Sequence, residues 1–177
     1  MENQIKKLDG HYIVCGYGRI GRLLTQYLVQ KYNNVVVIEK DSKHEAQLDG
    51  DGVLYLIGEA VDENVLIQAG VKRASGIIAG VGTDDENVLL VHLAKQLNPD
   101  IFVVARASRD SSKKSLEEAG AHKVISPYDI GARRMAHAIL RPTVIKFLET
   151  AFNDESIVVL GCAFKEAEKA NPHLYPK

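Results

Sequence analysis

The sequence predicts an α/β domain, a Rossmann-like, doubly wound, parallel six-stranded sheet with a C-terminal crossover helix. Three observations predict it. Six short runs rich in β-branched residues recur along the 177 residues, most apolar nearly throughout, as strands covered on both faces are. Segments of helical periodicity separate them, and strictly alternating strand and helix builds a parallel sheet with right-handed crossovers. A glycine-rich turn joins the first strand to the first helix.

Taken in order, the strands are expected at residues 12–15, 35–38, 53–57, 76–79, 101–105 and 123–126. The first helix starts near Arg19 and carries Ile20, Leu23, Leu24, Tyr27 and Leu28 on one stripe, expected to be buried. Further helices are expected at 62–69, 84–97, 111–119 and 128–140. Gly70 and Gly120 follow two of them, where a left-handed residue ends a helix most cheaply. Asp84, Asp85 and Glu86 crowd one first turn, where the helix dipole favours negative charge. That helix reads NVLLVHLA, apolar almost all round, so a second partner beyond the sheet is expected for it.

Arg141-Pro142 breaks the chain, and Thr143 is placed to cap a last helix bearing Val144, Phe147, Leu148, Ala151 and Phe152. The six-strand sheet is complete by then. The stripe either folds back on its own domain or exchanges with a neighbouring subunit, and exchange is the expectation. The organisation expected is a linker over 1–8, the Rossmann domain over 9–141, the crossover helix over 142–152 and a loosely ordered tail over 153–177.

Bulk properties narrow the function classes. A formal net charge of −1 gives no electrostatic case for nucleic acid. No run approaches the roughly 18 apolar residues of a membrane span, and the N-terminus lacks signal-peptide features. Cytoplasm is the expected compartment. Cys15 and Cys162 read as small core residues, and the six histidines show no metal-ligand spacing.

The strongest local signal is Gly16-Tyr17-Gly18-Arg19-Ile20-Gly21, a G-x-G-x-x-G between a strand and a helix. Gly16 permits the tight turn, Gly18 lets the backbone approach a pyrophosphate, and Gly21 allows helix and strand to pack closely. The helix N-terminus offers unpaired N–H groups to phosphates. Glu39 ends the second strand 18 residues after Gly21, where a carboxylate accepts bonds from ribose hydroxyls and repels a 2′-phosphate, disfavouring NADP. Arg19 is either a solvated first-turn residue or a phosphate clamp reaching a neighbour's ligand, and Lys40 is placed to frame the ribose. A Tyr27-x-x-x-Lys31 pair on the first helix is read as coincidence, since Tyr27 falls on the stripe expected to be buried. With little chain left for a substrate domain, a binding module is expected rather than an enzyme. An NAD-dependent oxidoreductase, or an NAD-sensing fragment of one, is the alternative. A third reading is an assembly module with an empty pocket, in which replacing Glu39 should leave stability unchanged.

The succession HYIVCGYGRIG, VVVIE, GEAVDENVLIQAGVKRASGIIAG, DDENVLLVHLAKQLNP, VVARA, EEAGAHKVISPYDIGARRMA and LRPTVIKFLE closely resembles the RCK N-terminal domain, also called KTN or TrkA-N, over about residues 9–152. The resemblance implies a cytoplasmic gating domain of a potassium channel or transporter. Such a domain pairs as a homodimer, assembles into a ring beneath the membrane subunit, and binds NAD(H), ATP, ADP or AMP. Carried over by position, Gly16, Tyr17, Gly18, Arg19, Ile20 and Gly21 would surround the phosphates and Glu39 with Lys40 the ribose. Gly58, Glu59 and Ala60 would approach the adenine, Gly80 and Val81 would close the pocket, and Arg106 would touch a phosphate. Glu59 and Val61 stand where the family pattern has aspartate and threonine. Arg106 and Ser108 stand where calcium-gated relatives carry acidic residues, so that calcium site is not expected.

Overall fold

The computed structural model describes residues 1–32 and 34–140. The crossover helix expected over 142–152, the tail expected from Asn153, and Cys162 lie outside the described residues. Two compact units are present, Met1–Pro127 and Tyr128–Lys177.

The order of elements is α1 (Glu2–Ile5), β1 (Tyr12–Cys15), α2 (Arg19–Lys31), β2 (Val35–Glu39), α3 (Glu45–Gly50), β3 (Leu54–Ile57), α4 (Glu63–Gln68), β4 (Gly76–Ala79), α5 (Asp84–Leu97), β5 (Phe102–Arg106), α6 (Ser112–Glu118), β6 (Lys123–Ile125) and α7 (Pro127–Leu140). All pairings are parallel, in the order β3-β2-β1-β4-β5-β6. The connection out of β1 runs toward β2 on one side, whereas β4 lies on the other. The carboxyl ends of β1 and β4 therefore bound a crevice at the point where the winding reverses, the usual ligand position in an open parallel sheet.

The two faces of β1 show why its run is apolar throughout. Ile13 and Cys15 join one buried cluster with Leu66, Leu90, Val91 and Leu116, while Val14 joins another with Val37 and Leu48. Neither face meets water, so alternation would place a polar side chain in a core. Cys15 is a free, fully buried thiol whose pKa burial pushes up, in keeping with a packing role. His11, also fully buried, hydrogen-bonds the Ala69 carbonyl through Nε2 at 2.7 Å, and burial lowers its pKa.

Four short elements escape the periodicity signal. Residues 42–44 and 71–73 form single 3-10 turns, and α3 and α1 span six and four residues. The segment expected as a linker thus contains α1, whose Ile5 is fully buried in the larger core. Burying such a side chain contributes about 2 kcal/mol. Arg73 holds the segment by donating from Nε to the Leu8 carbonyl at 3.0 Å.

The stripe expected to be buried on α2 is divided. Leu24 and Leu28 pack against the smaller core, but Ile20, Leu23 and Tyr27 are 44%, 58% and 66% exposed. The innermost positions belong to Gly21 and Thr25, and at Gly21 the Gly16 carbonyl leaves no room for a side chain. Tyr27 is therefore not part of the core, and the Tyr27-x-x-x-Lys31 pair lies on an outer face. Tyr27 is nine residues along the helix from Gly18, about 13 Å at 1.5 Å per residue. On α5, Leu90, Val91 and Ala94 are buried while Leu89 is 48% exposed.

Candidate functional site

The glycine turn is fixed by two close approaches of backbone to backbone. Gly16 has φ +93°, and a Cβ there would come within 2.7 Å of the Gly80 carbonyl oxygen. A Cβ on Gly21 would lie 1.9 Å from the Gly16 carbonyl oxygen, so helix and turn can meet only through glycine. At Gly18 a Cβ would meet nothing within 4 Å. The space above Gly18, against the first turn of α2, is open. Among the described residues that turn carries no acidic side chain, and exposed Arg19 makes no hydrogen bond or ion pair.

Glu39 ends β2 with its side chain only 8% exposed. Its Oε2 accepts the Tyr17 N–H at 2.5 Å and its Oε1 the Asp41 N–H at 2.9 Å. A buried carboxylate is tolerated here because two backbone donors compensate its lost hydration. His44 Nδ1 stands 3.7 Å from Oε1 without a hydrogen-bond partner. Glu39 thus joins the glycine turn to the end of β2, and each of its oxygens keeps a lone pair for a ligand hydroxyl.

Beside Glu39 opens a cleft lined by Gly16, Ile38, Glu39, Lys40, Gly58, Glu59, Ala60, Val81 and Gly82. Seven of these were expected from sequence. Ile38 and Gly82 were not, since one reads as plain strand and the other as plain loop. Gly80 sits beneath the wall, against Gly16.

Two expected contacts are used differently. The Tyr17 side chain is buried away from the cleft, its hydroxyl donating to Asp51 Oδ2, while Arg22 Nε reaches the same oxygen at 3.2 Å. Those bonds, Tyr17's first, hold the Asp51 carboxyl below its ordinary pKa, and burial with Asp51 nearby pushes the Tyr17 hydroxyl up to about 12. Only the Tyr17 backbone belongs to the site. Arg106 donates from Nη2 to the carbonyls of Val81 and Gly82 at 2.6 and 2.9 Å, so it braces the β4–α5 loop.

The loop's other braces carry no motif signal. Fully buried Asn87 accepts the Val81 N–H at 3.0 Å and donates to the Arg106 carbonyl at 3.2 Å. Thr83 and Glu86 form a reciprocal capping box at the start of α5. Asp84, expected only to complement the dipole, is buried and accepts the Ser108 and Arg109 N–H groups at 2.8 and 3.0 Å. Burial alone would raise its pKa, but these bonds and those from Ser112 and Ser108 hydroxyls outweigh it, and the pKa is lowered. No cluster of metal-ligating side chains occurs among the described residues, and no described helix is long and apolar enough to cross a membrane.

Similarity to known proteins agrees with this geometry. The chain is 39% identical over 153 residues to the probable potassium channel protein 2 of Methanocaldococcus jannaschii, covering 85% of this chain and 45% of that one. It spans about half the length of the curated relatives it matches. The TrkA-N domain of inner membrane protein ybaL from Escherichia coli superposes with a TM-score of 0.69 at 30% identity, covering 74% of this chain and 97% of that one. The GsuK channel bound to NAD superposes at 0.61 with 25% identity, covering 68% of this chain and 22% of that one, and GsuK is also known bound to ADP. The TrkA-N domain model matches residues 12–127, which form the whole sheet and the cleft just described. This chain belongs to the TrkA-N domain family.

Proposed function

We propose that this chain is a nucleotide-binding regulatory domain of a potassium channel or potassium transporter, acting at the inner face of the membrane. NAD(H) or an adenine nucleotide (ATP, ADP or AMP) occupies the cleft. Its ribose bonds Glu39, its phosphates lie over Gly18 at the N-terminus of α2, and its adenine meets Gly58, Glu59 and Ala60. The observation that carries the reading is Glu39 itself, held rigidly between the glycine turn and the cleft with lone pairs to spare. A carboxylate preorganised by backbone donors binds hydroxyls without first losing side-chain entropy. Glu39 and Glu59 line the cleft, and its lining cation Lys40 is already paired with Glu59 and Glu86, which disfavours the 2′-phosphate of NADP.

We read the ligand as a signal rather than a substrate, a reading supported by the potassium channel and potassium uptake proteins that this chain resembles. The domain works as a homodimer within a ring. A ligand can shift that assembly only by binding one geometry better than another. Arg19, exposed at the first turn of α2, supplies the difference by reaching the phosphates of a neighbour's ligand. Thermal unfolding with NAD, NADH, NADP, ATP, ADP and AMP tests the site, since native-state binding raises the midpoint. A rise with one adenine nucleotide and little with NADP is expected. No rise with any of them would leave the glycine turn a packing device only.

A further inference from the structure

An ion bridge is formed by a residue of the cleft lining. Lys40 Nζ stands 3.5 Å from Glu86 Oε1 and 3.9 Å from Glu59 Oε2. The three residues belong to separate elements: Lys40 follows β2, Glu59 lies between β3 and α4, and Glu86 is in the first turn of α5. Lys40 and Glu59 line the cleft, and Glu86 abuts the third wall, its Oε2 lying 3.6 Å from where a Gly82 Cβ would be. Lys40 thus links three of the segments that bound the cleft.

The bridge is also weak enough to open. The Lys40 and Glu59 side chains are 54% and 57% exposed, and exposed ion pairs contribute little. A lysine stem has several freely rotating bonds, so the ammonium leaves its partners without moving the backbone.

We propose that Lys40 is a displaceable bar across the cleft: a nucleotide enters by lifting it from Glu86 and Glu59, so the bar slows entry and lowers occupancy. This rests on the cleft being the adenine-nucleotide site. A lysine that grips the ligand predicts the opposite sign, because its removal would weaken binding. Glu86 gives an independent handle, since Glu86→Gln removes the anchoring charge while glutamine still serves at that capping-box position.

The test is titration of the isotope-labelled chain with AMP and, separately, NAD, with rates and affinities taken from nuclear magnetic resonance line shapes. Lys40→Gln and Glu86→Gln should each raise the association rate and the affinity, by roughly three- to five-fold if one exposed pair is lost. The double variant should gain no more than the better single one, because both break the same bridge. Weaker binding by Lys40→Gln, unchanged rates in Glu86→Gln, or fully additive gains would each overturn the bar while leaving the site standing. No binding of either probe to any variant would overturn the site and the bar together.

Discussion

Glu39 and Tyr17 are joined by a 2.5 Å hydrogen bond from the Tyr17 N–H to Glu39 Oε2, so the acidic residue expected to meet ribose also anchors the glycine turn. The two roles are separable. Glu39→Ala removes acceptors from two backbone N–H groups and should destabilise the ligand-free chain by about 2–3 kcal/mol. Urea unfolding without nucleotide measures this directly. An alanine variant as stable as the parent would show that the turn holds itself. A stability loss is therefore expected whether or not nucleotide binds, and Glu39 replacement does not by itself separate an empty pocket from a used one.

The glycines make that separation instead. Gly21→Ala would place a methyl group 1.9 Å from the Gly16 carbonyl oxygen, a backbone atom with no side-chain rotation to relieve the clash. It should destabilise by about 3 kcal/mol or more, in the range of overpacked cores. Gly18→Ala meets no protein atom within 4 Å and keeps φ near −68°, which alanine accepts. Its unfolding midpoint should stay close to the parent's while the nucleotide-induced rise disappears. If Gly18→Ala kept that rise, the phosphates would have to lie elsewhere.

The sheet, its order of elements and seven of the nine cleft residues were legible in the sequence. Buried parallel strands and a phosphate turn are written in local spacing. What escaped depends on contacts between distant positions. Asn87 and Asp84 look like ordinary first-turn helix residues until β5 is placed beside them. Arg106 looks like a free cation until the Val81 and Gly82 carbonyls turn toward it. The α2 stripe misled for a different reason: helical periodicity marks an apolar face, whereas the face turned inward carries Gly21 and Thr25, and Tyr27 lies more than about 100° round the helix from both.

Asp84 predicts a pH dependence. Its folded pKa is depressed, so its contribution is present above the unfolded value of about 3.9 and is lost as pH falls through the lower folded value. Asp84→Asn should be less stable than the parent at pH 7, by about 2 kcal/mol, since the amide accepts less strongly from Ser108 and Arg109. The gap should narrow steadily below about pH 4. Denaturant midpoints for both proteins between pH 7 and pH 3 provide the measurement. A gap independent of pH would assign the loss to packing rather than to charge.

The last prediction concerns the β4–α5 wall of the cleft, which two side chains hold. Asn87 engages the Val81 N–H and the Arg106 carbonyl, and Arg106 engages the Val81 and Gly82 carbonyls. Asn87→Ala would take this partner from two partly buried backbone groups and should destabilise by about 2 kcal/mol. Arg106→Gln should affect folding less, because the guanidinium serves a partly exposed loop, yet it frees the carbonyls that shape the cleft wall. If Arg106 braces the loop, its removal weakens adenosine and AMP binding by the same factor. If it instead contacts phosphate, AMP affinity falls and adenosine affinity does not. Parallel titrations of the two ligands therefore separate a brace from a ligand contact, and equal loss is the expected result.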